Sequence, residues 1–202
     1  MGKLKLTSPA FLDGGEIPLH HGYKNGNNSP SLTITGIPTE AKSLAFIMDD
    51  PDAMGAVGKV WVHWVVWNIG TDTHEHRITQ QEIAQPKQLP DLAKYFPNPT
   101  TINIPESAGN ISENPSGDAF QFIGMSGCTQ GTTDFGEVGY GGPAPPDKRH
   151  TYVFKLYALD IFTDGAGNFL LDVEHGASKA DLEKAMEGHI IEQTQLTGTY
   201  AP

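Results

Sequence analysis

The chain has 202 residues, 38% of them hydrophobic and 18% charged, enough for one domain with a real core. Twenty-four acids against thirteen bases leave a formal charge of −11. With no basic run beyond Lys148-Arg149, that balance excludes a phosphate-backbone partner and general adhesion to anionic membranes. One cysteine, Cys128, excludes an intrachain disulfide and fits a reducing compartment.

The N-terminal "MGKLKLTSPAFLDGG" lacks a leader-like apolar run, and Leu6 breaks the acylation pattern that Gly2 opens. No stretch reaches membrane-spanning length, so a cytoplasmic protein without integral membrane association is expected. "SLTITGIP" (31–38), "SLAFIM" (43–48) and "VWVHWVVWNI" (60–69) read as strands, the second covered on both faces. From 71 to 116 the texture turns proline-rich, an insertion-like excursion with a short helix expected near Leu92–Tyr95. The sequons at Asn27 and Asn110 carry little weight without a secretory signal.

The core signal returns in "FQFIGMSG" (120–127), and "HTYVFKLYALD" (150–160) alternates cleanly, with His150, Tyr152, Phe154, Leu156 and Ala158 on one face. Ser178 and Asp181 form a capping-box-like start for a closing helix over "KADLEKAMEGHIIEQTQL", with Leu182, Ala185, Met186, His189 and Ile190 on one side. Residues 1–202 therefore read as a single domain, mainly β: an antiparallel-rich β-sandwich with a C-terminal helix.

Three pieces carry possible chemistry: "DDPDAMG" (49–55), "VHW" (62–64) and "GYGGPAPPDKRHTY" (139–152). Carboxylates end one strand, an imidazole sits inside the next, and a stiff Gly/Pro loop delivers His150 and Tyr152. Converging, they suit an anion site, a divalent metal site or acid–base chemistry. Taken singly, each has a plain reading: Asp-Pro-Asp as a turn, His63 and Tyr152 as hydrogen-bonded core, "GPAPP" as a rigid loop. "HEH" (74–76) reads as a solvated loop, "GYGG" lacks a strand–loop–helix setting, "GMSG" (124–127) is not a nucleophile elbow, and Cys128 has no adjacent base.

In this order, "DDPDA", "VWVHWVVWNI", "GYGGPAPPDKRHTYVFKLYALD" and "GASKADLEKAMEGHIIEQTQLTGTY" closely resemble the phosphatidylethanolamine-binding protein family, in its prokaryotic Raf-kinase-inhibitor-like branch. The resemblance runs from residue 8 to about 198 and is thinnest over 71–116. It implies a β-sandwich with a pocket for phosphate or a phosphorylated headgroup or side chain, formed by Asp50, Asp52, Trp61, His63, Gly142, Pro143, His150 and Tyr152. It implies a non-catalytic binding protein without a cofactor or metal, one that modulates a kinase or other partner, with a homodimer suggested by prokaryotic relatives. A hydrolase using the His/Asp cluster and a protease inhibitor with an exposed loop are the alternatives. Two positions depart from the family: Met54 stands where proline is usual, and Thr151 where arginine is common.

Overall fold

The computed structural model describes residues 3–70, 101–110, 128–161, 173 and 176–202. Among them run β1 (Lys5–Thr7), β2 (Gly15–Glu16), β3 (Leu32–Thr35), β4 (Ser43–Asp50), α1 (Ala53–Val57), β5 (Trp61–Gly70), β6 (Thr101–Ile104), β7 (Thr129–Gln130), β8 (His150–Leu159), α2 (Lys179–Met186) and β9 (Ile190–Tyr200). Short 3-10 turns cover Leu19–His21 and Ala108–Asn110. The strands form two sheets, ordered β1-β3-β6 and β2-β9-β8-β4-β5-β7. Pairing is antiparallel throughout except between β2 and β9.

β4 lies at the centre of the large sheet, and all eight of its residues are buried. Alternation explains how. Leu44, Phe46 and Met48 join a core cluster that also takes Leu6, Ile34, Ile102 and Ile104 from the small sheet, so the two sheets pack face to face. Ala45 and Ile47 point the other way, into a second cluster with Leu182 and Met186 of α2. A strand covered on both sides needs an unbroken apolar run, which "SLAFIM" supplies. Phe46 and Trp64 meet edge-on at 5.0 Å in the first cluster, each worth about 2–3 kcal/mol in burial.

β8 follows the alternation expected of it, with His150, Tyr152, Phe154, Leu156 and Ala158 buried. The end of the chain differs from the sequence expectation. α2 starts with the anticipated capping box, Ser178 Oγ accepting from the Asp181 amide and Asp181 accepting from the Ser178 amide. It stops at Met186, however, and the chain closes with the eleven-residue strand β9. Gly188, at φ 81°, makes a turn that the helix cannot pass. Beyond it Leu196 and Tyr200 alternate inward, so strand pairing with β8 replaces the rest of the expected helix.

The proline-rich stretch is also more regular than expected at its described end. Residues 101–104 are β6, which pairs with β3 and buries Ile102 and Ile104. The helix expected near Leu92–Tyr95, "HEH" at 74–76, and "FQFIGMSG" at 120–127 lie outside the described residues. Among the described residues no helix is long and apolar enough to cross a membrane.

Candidate functional site

Three neighbouring strands bring the predicted residues together: Asp50 ends β4, His63 lies on β5, and His150 and Tyr152 open β8. Asp50, Trp61, His63, Ala53, Ala56, Val57, Phe135, Ala144 and Pro146 line a cavity of about 190 Å³.

His63 owes its place to an irregularity. Along the β4–β5 ladder Met48 pairs with Trp64 and Asp49 with Val62, so His63 is an extra residue opposite no partner. Uninterrupted alternation would carry it to the α2 face with Val65 and Trp67. The bulge turns it to the cavity side instead, where its ring meets Tyr152 edge-on at 5.1 Å and Phe135 at 5.4 Å. Its Nδ1–H donates to the Gly141 carbonyl at 2.6 Å. Burial lowers its pKa, against the opposing pull of the Gly141 carbonyl and the Asp50 charge. The resting ring is therefore neutral, with Nε2 carrying the lone pair.

His150 is the opposite case. Its Nδ1–H donates to Asp50 Oδ2 at 2.7 Å and its Nε2–H to Asp147 Oδ1 at 2.9 Å. A ring that donates from both nitrogens is an imidazolium. Burial pulls its pKa down, but the hydrogen bonds and charges of Asp50 and Asp147 outweigh it and the net shift is upward. Two histidines of one site thus rest in different charge states.

Asp50 is held from two sides, Oδ1 accepting from the Ala53 amide at 3.0 Å while Oδ2 accepts from His150. Asp52 does not line the cavity; its carboxylate accepts from the Thr151 amide at 2.7 Å, tying the start of α1 to the start of β8. That backbone bond is independent of the side chain at 151. Met54 is exposed in the first turn of α1, away from the ladder.

Gly142 and Pro143 sit behind the lining rather than in it. Any Cβ on Gly142 would collide with the His21 carbonyl, and Pro143 O accepts from the Tyr23 amide at 2.9 Å. Asn27 finishes the wall: its side-chain amide donates to Tyr140 O at 3.2 Å and its oxygen accepts from the Gly142 amide at 2.7 Å. Tyr152 is fully buried, and its hydroxyl has no hydrogen bond of good geometry. Burial, then the Asp50 charge, raises its pKa far above the phenol range, so it stays a protonated donor. Trp61 Nε1–H is likewise buried without a partner.

Sequence reasoning missed Phe135 and Asp147. Phe135 comes from a loop tied to β5 by Asp134, which accepts from the Val62 amide at 2.8 Å and from Lys59 Nζ at 2.8 Å. Its ring stacks on Tyr23 at 4.2 Å. Asp147 carried a signal, an acid three residues before His150 in a proline-stiffened loop.

Comparison with known proteins bears on the family and the fold. The family model "Phosphatidylethanolamine-binding protein" matches residues 7–101 and 86–201. A UPF0098 protein of Methanothermobacter thermautotrophicus is 36% identical over 197 residues, covering 98% of each chain. The crystal structure of a putative phosphatidylethanolamine-binding protein homolog from Chlamydia trachomatis superposes with a TM-score of 0.67 at 31% identity, over 99% of this chain and 98% of that one. That of E. coli YbcL, a new member of the mammalian PEBP family, gives a TM-score of 0.67 at 28% identity over 98% of each. The chain belongs to the phosphatidylethanolamine-binding protein family.

Proposed function

We propose that the chain is a binding protein whose cavity captures a small anion, phosphate or a phosphorylated headgroup or side chain. The observation that carries this reading is a surplus of buried donors around one cavity. Trp61, in the lining, has its N–H buried without a partner. Behind the lining Tyr152 O–H makes no hydrogen bond of good geometry, and the His150 imidazolium donates one N–H to Asp147, a carboxylate whose side chain is half exposed. Buried donors without acceptors cost about 1–3 kcal/mol each, and an arriving anion offsets that cost.

Asp147 has a specific part in this reading. It is a carboxylate already seated on His150 Nε2, on a half-exposed rather than a buried side chain, and an incoming anion takes its place. Asp50, wholly buried, stays and keeps His150 charged. His63 contributes when the ligand brings a proton, because its neutral ring offers Nε2 as an acceptor and becomes a donor only on protonation.

The test is an NMR titration of the histidine side chains with inorganic phosphate, phosphoethanolamine and sulfate, in wild type, His150→Ala and Asp147→Ala. Saturable shifts at His63 and His150, lost in His150→Ala and tightened several-fold in Asp147→Ala, are expected. Sulfate keeps its charge between pH 6 and 8, so its tighter binding at the lower pH reports proton uptake by His63. Silence at both histidines in the folded wild type, with all three anions, overturns the reading.

A further inference from the structure

A second group of ligating side chains lies outside the cavity. His20 and His21 belong to the 3-10 turn Leu19–His21, and Glu106 follows β6. One ligand-capable atom from each of the three lies within 4.8 Å of the others. We propose that His20, His21 and Glu106 form a binding site for a borderline divalent cation of the zinc type.

His21 carries the argument. It is fully buried, and its Nδ1–H donates to the Asn28 carbonyl at 2.7 Å. A carbonyl can only accept, so this bond fixes the proton on Nδ1 and leaves the lone pair on Nε2. That Nε2 is buried with no hydrogen-bond partner. A metal-ligating histidine has the same arrangement, one nitrogen anchored to a backbone carbonyl and the other presenting its lone pair.

The other two ligands are adjustable. His20 Nε2 and Glu106 Oε1 are 3.3 Å apart, and both side chains are about half exposed. The His20 and His21 rings lie 4.0 Å apart, centroid to centroid. In a tetrahedral site with bonds of about 2.0–2.1 Å, ligand atoms sit about 3.3 Å from one another. The His20–Glu106 pair already has that spacing, and rotation of these exposed side chains toward the fixed His21 closes the rest. Two imidazole nitrogens and one carboxylate oxygen select zinc-like ions over magnesium or calcium, which take oxygen. The fourth position is left to water, and the net charge of −11 favours a cation.

The ion would tie the 19–28 loop to the segment after β6. That loop supports the cavity wall, since Tyr140 O–H donates to the His21 carbonyl at 2.9 Å and Tyr23 N–H to Pro143 O at 2.9 Å. The cation site does not rest on the anion reading, as it uses no residue of the cavity lining.

The experiment is calorimetric titration of the whole chain with Zn2+, with visible absorption of Co2+ as a second readout, in wild type, His20→Ala, Glu106→Gln and a His74→Ala/His76→Ala double variant. The last removes the competing pair in "HEH". One ion per chain is expected, with affinity retained in the double variant and weakened at least tenfold by His20→Ala and by Glu106→Gln. Circular dichroism checks that these exposed-site variants stay folded, and their phosphate titrations should match wild type. Absence of saturable binding, binding unchanged in His20→Ala and Glu106→Gln, or binding that disappears with His74 and His76 each overturns the proposal.

Discussion

Asp49 and Asp50 are neighbours on one strand, both almost wholly buried, and they serve opposite faces of the sheet. Asp49 points toward α2, where Oδ2 accepts from Lys155 Nζ at 2.6 Å and Lys179 Nζ at 2.7 Å. Asp50 points into the cavity, against the α1 amide and an imidazolium. The first is a cross-tie between helix and sheet, held by two lysine ammonium groups. The second holds a partner that can lose its proton and whose other carboxylate can be displaced. Burial alone does not mark a functional acid; the exchangeability of what surrounds it does.

The sharpest way to break this comparison is to remove each acid. Asp49→Ala strands two partly buried lysines and should cost about 2 kcal/mol in urea unfolding, below the full value for a sealed pair because both ammonium groups regain some water. Its phosphate affinity should equal that of wild type. Asp50→Ala should instead change ligand affinity and the His150 titration more than it changes stability. If Asp49→Ala weakened anion binding as strongly, the division between the faces would not hold.

Within the cavity the comparison sharpens into one between two histidines, and it has a pH signature. His150 has its pKa raised in the folded chain. Its contribution to stability is complete below the unfolded value of about 6.5 and is lost as pH rises through the folded pKa. His63 has its pKa lowered, so its contribution is present above about 6.5 and is lost as pH falls through the folded pKa. Stability should peak between the two. Urea unfolding from pH 5 to 9 should show His150→Asn flattening the alkaline limb and His63→Asn part of the acid limb, to which His21, whose shift has the same sign, also contributes. An unchanged alkaline limb in His150→Asn would remove the imidazolium from the site.

Which of these features could be read from the sequence follows from how local their causes are. β8 was legible because "HTYVFKLYALD" alternates, and β4 because an apolar run bounded by turns suits a doubly covered strand. The face of His63 was not legible. "VWVHWVVW" is apolar on both sides, and the bulge that re-aims the imidazole is a property of the β4–β5 ladder rather than of either strand. Asp49 and Asp50 could not be told apart until the lysines that claim Asp49 were located, 106 and 130 residues away. The helix end was misjudged because Leu182, Ala185 and Met186 share a helical face that Ile190 continues by coincidence. Gly188 and the later alternation of Leu196 and Tyr200 were the better evidence. His20 and His21 drew no attention because Glu106 approaches them only through the fold.

The smallest expected effect tests whether the α2 face can be loosened without touching the cavity. Ser178 caps α2, its Oγ accepting from the Asp181 amide at 3.3 Å while its own amide donates to Asp181 Oδ2 at 3.0 Å. Lys179, the first residue of the helix, reaches back to Asp49. Ser178→Ala leaves the first turn short of one acceptor and should cost about 1 kcal/mol or somewhat less, since the cap is exposed and water can replace the hydroxyl. The loss should be smaller in an Asp49→Ala background, because part of it is transmitted through the placement of Lys179, and a double-mutant cycle reads that coupling directly. In neither background should the phosphate affinity move. Strict additivity would mean that α2 docks through Leu182 and Met186 alone, with the ion pair following the helix rather than fixing its start.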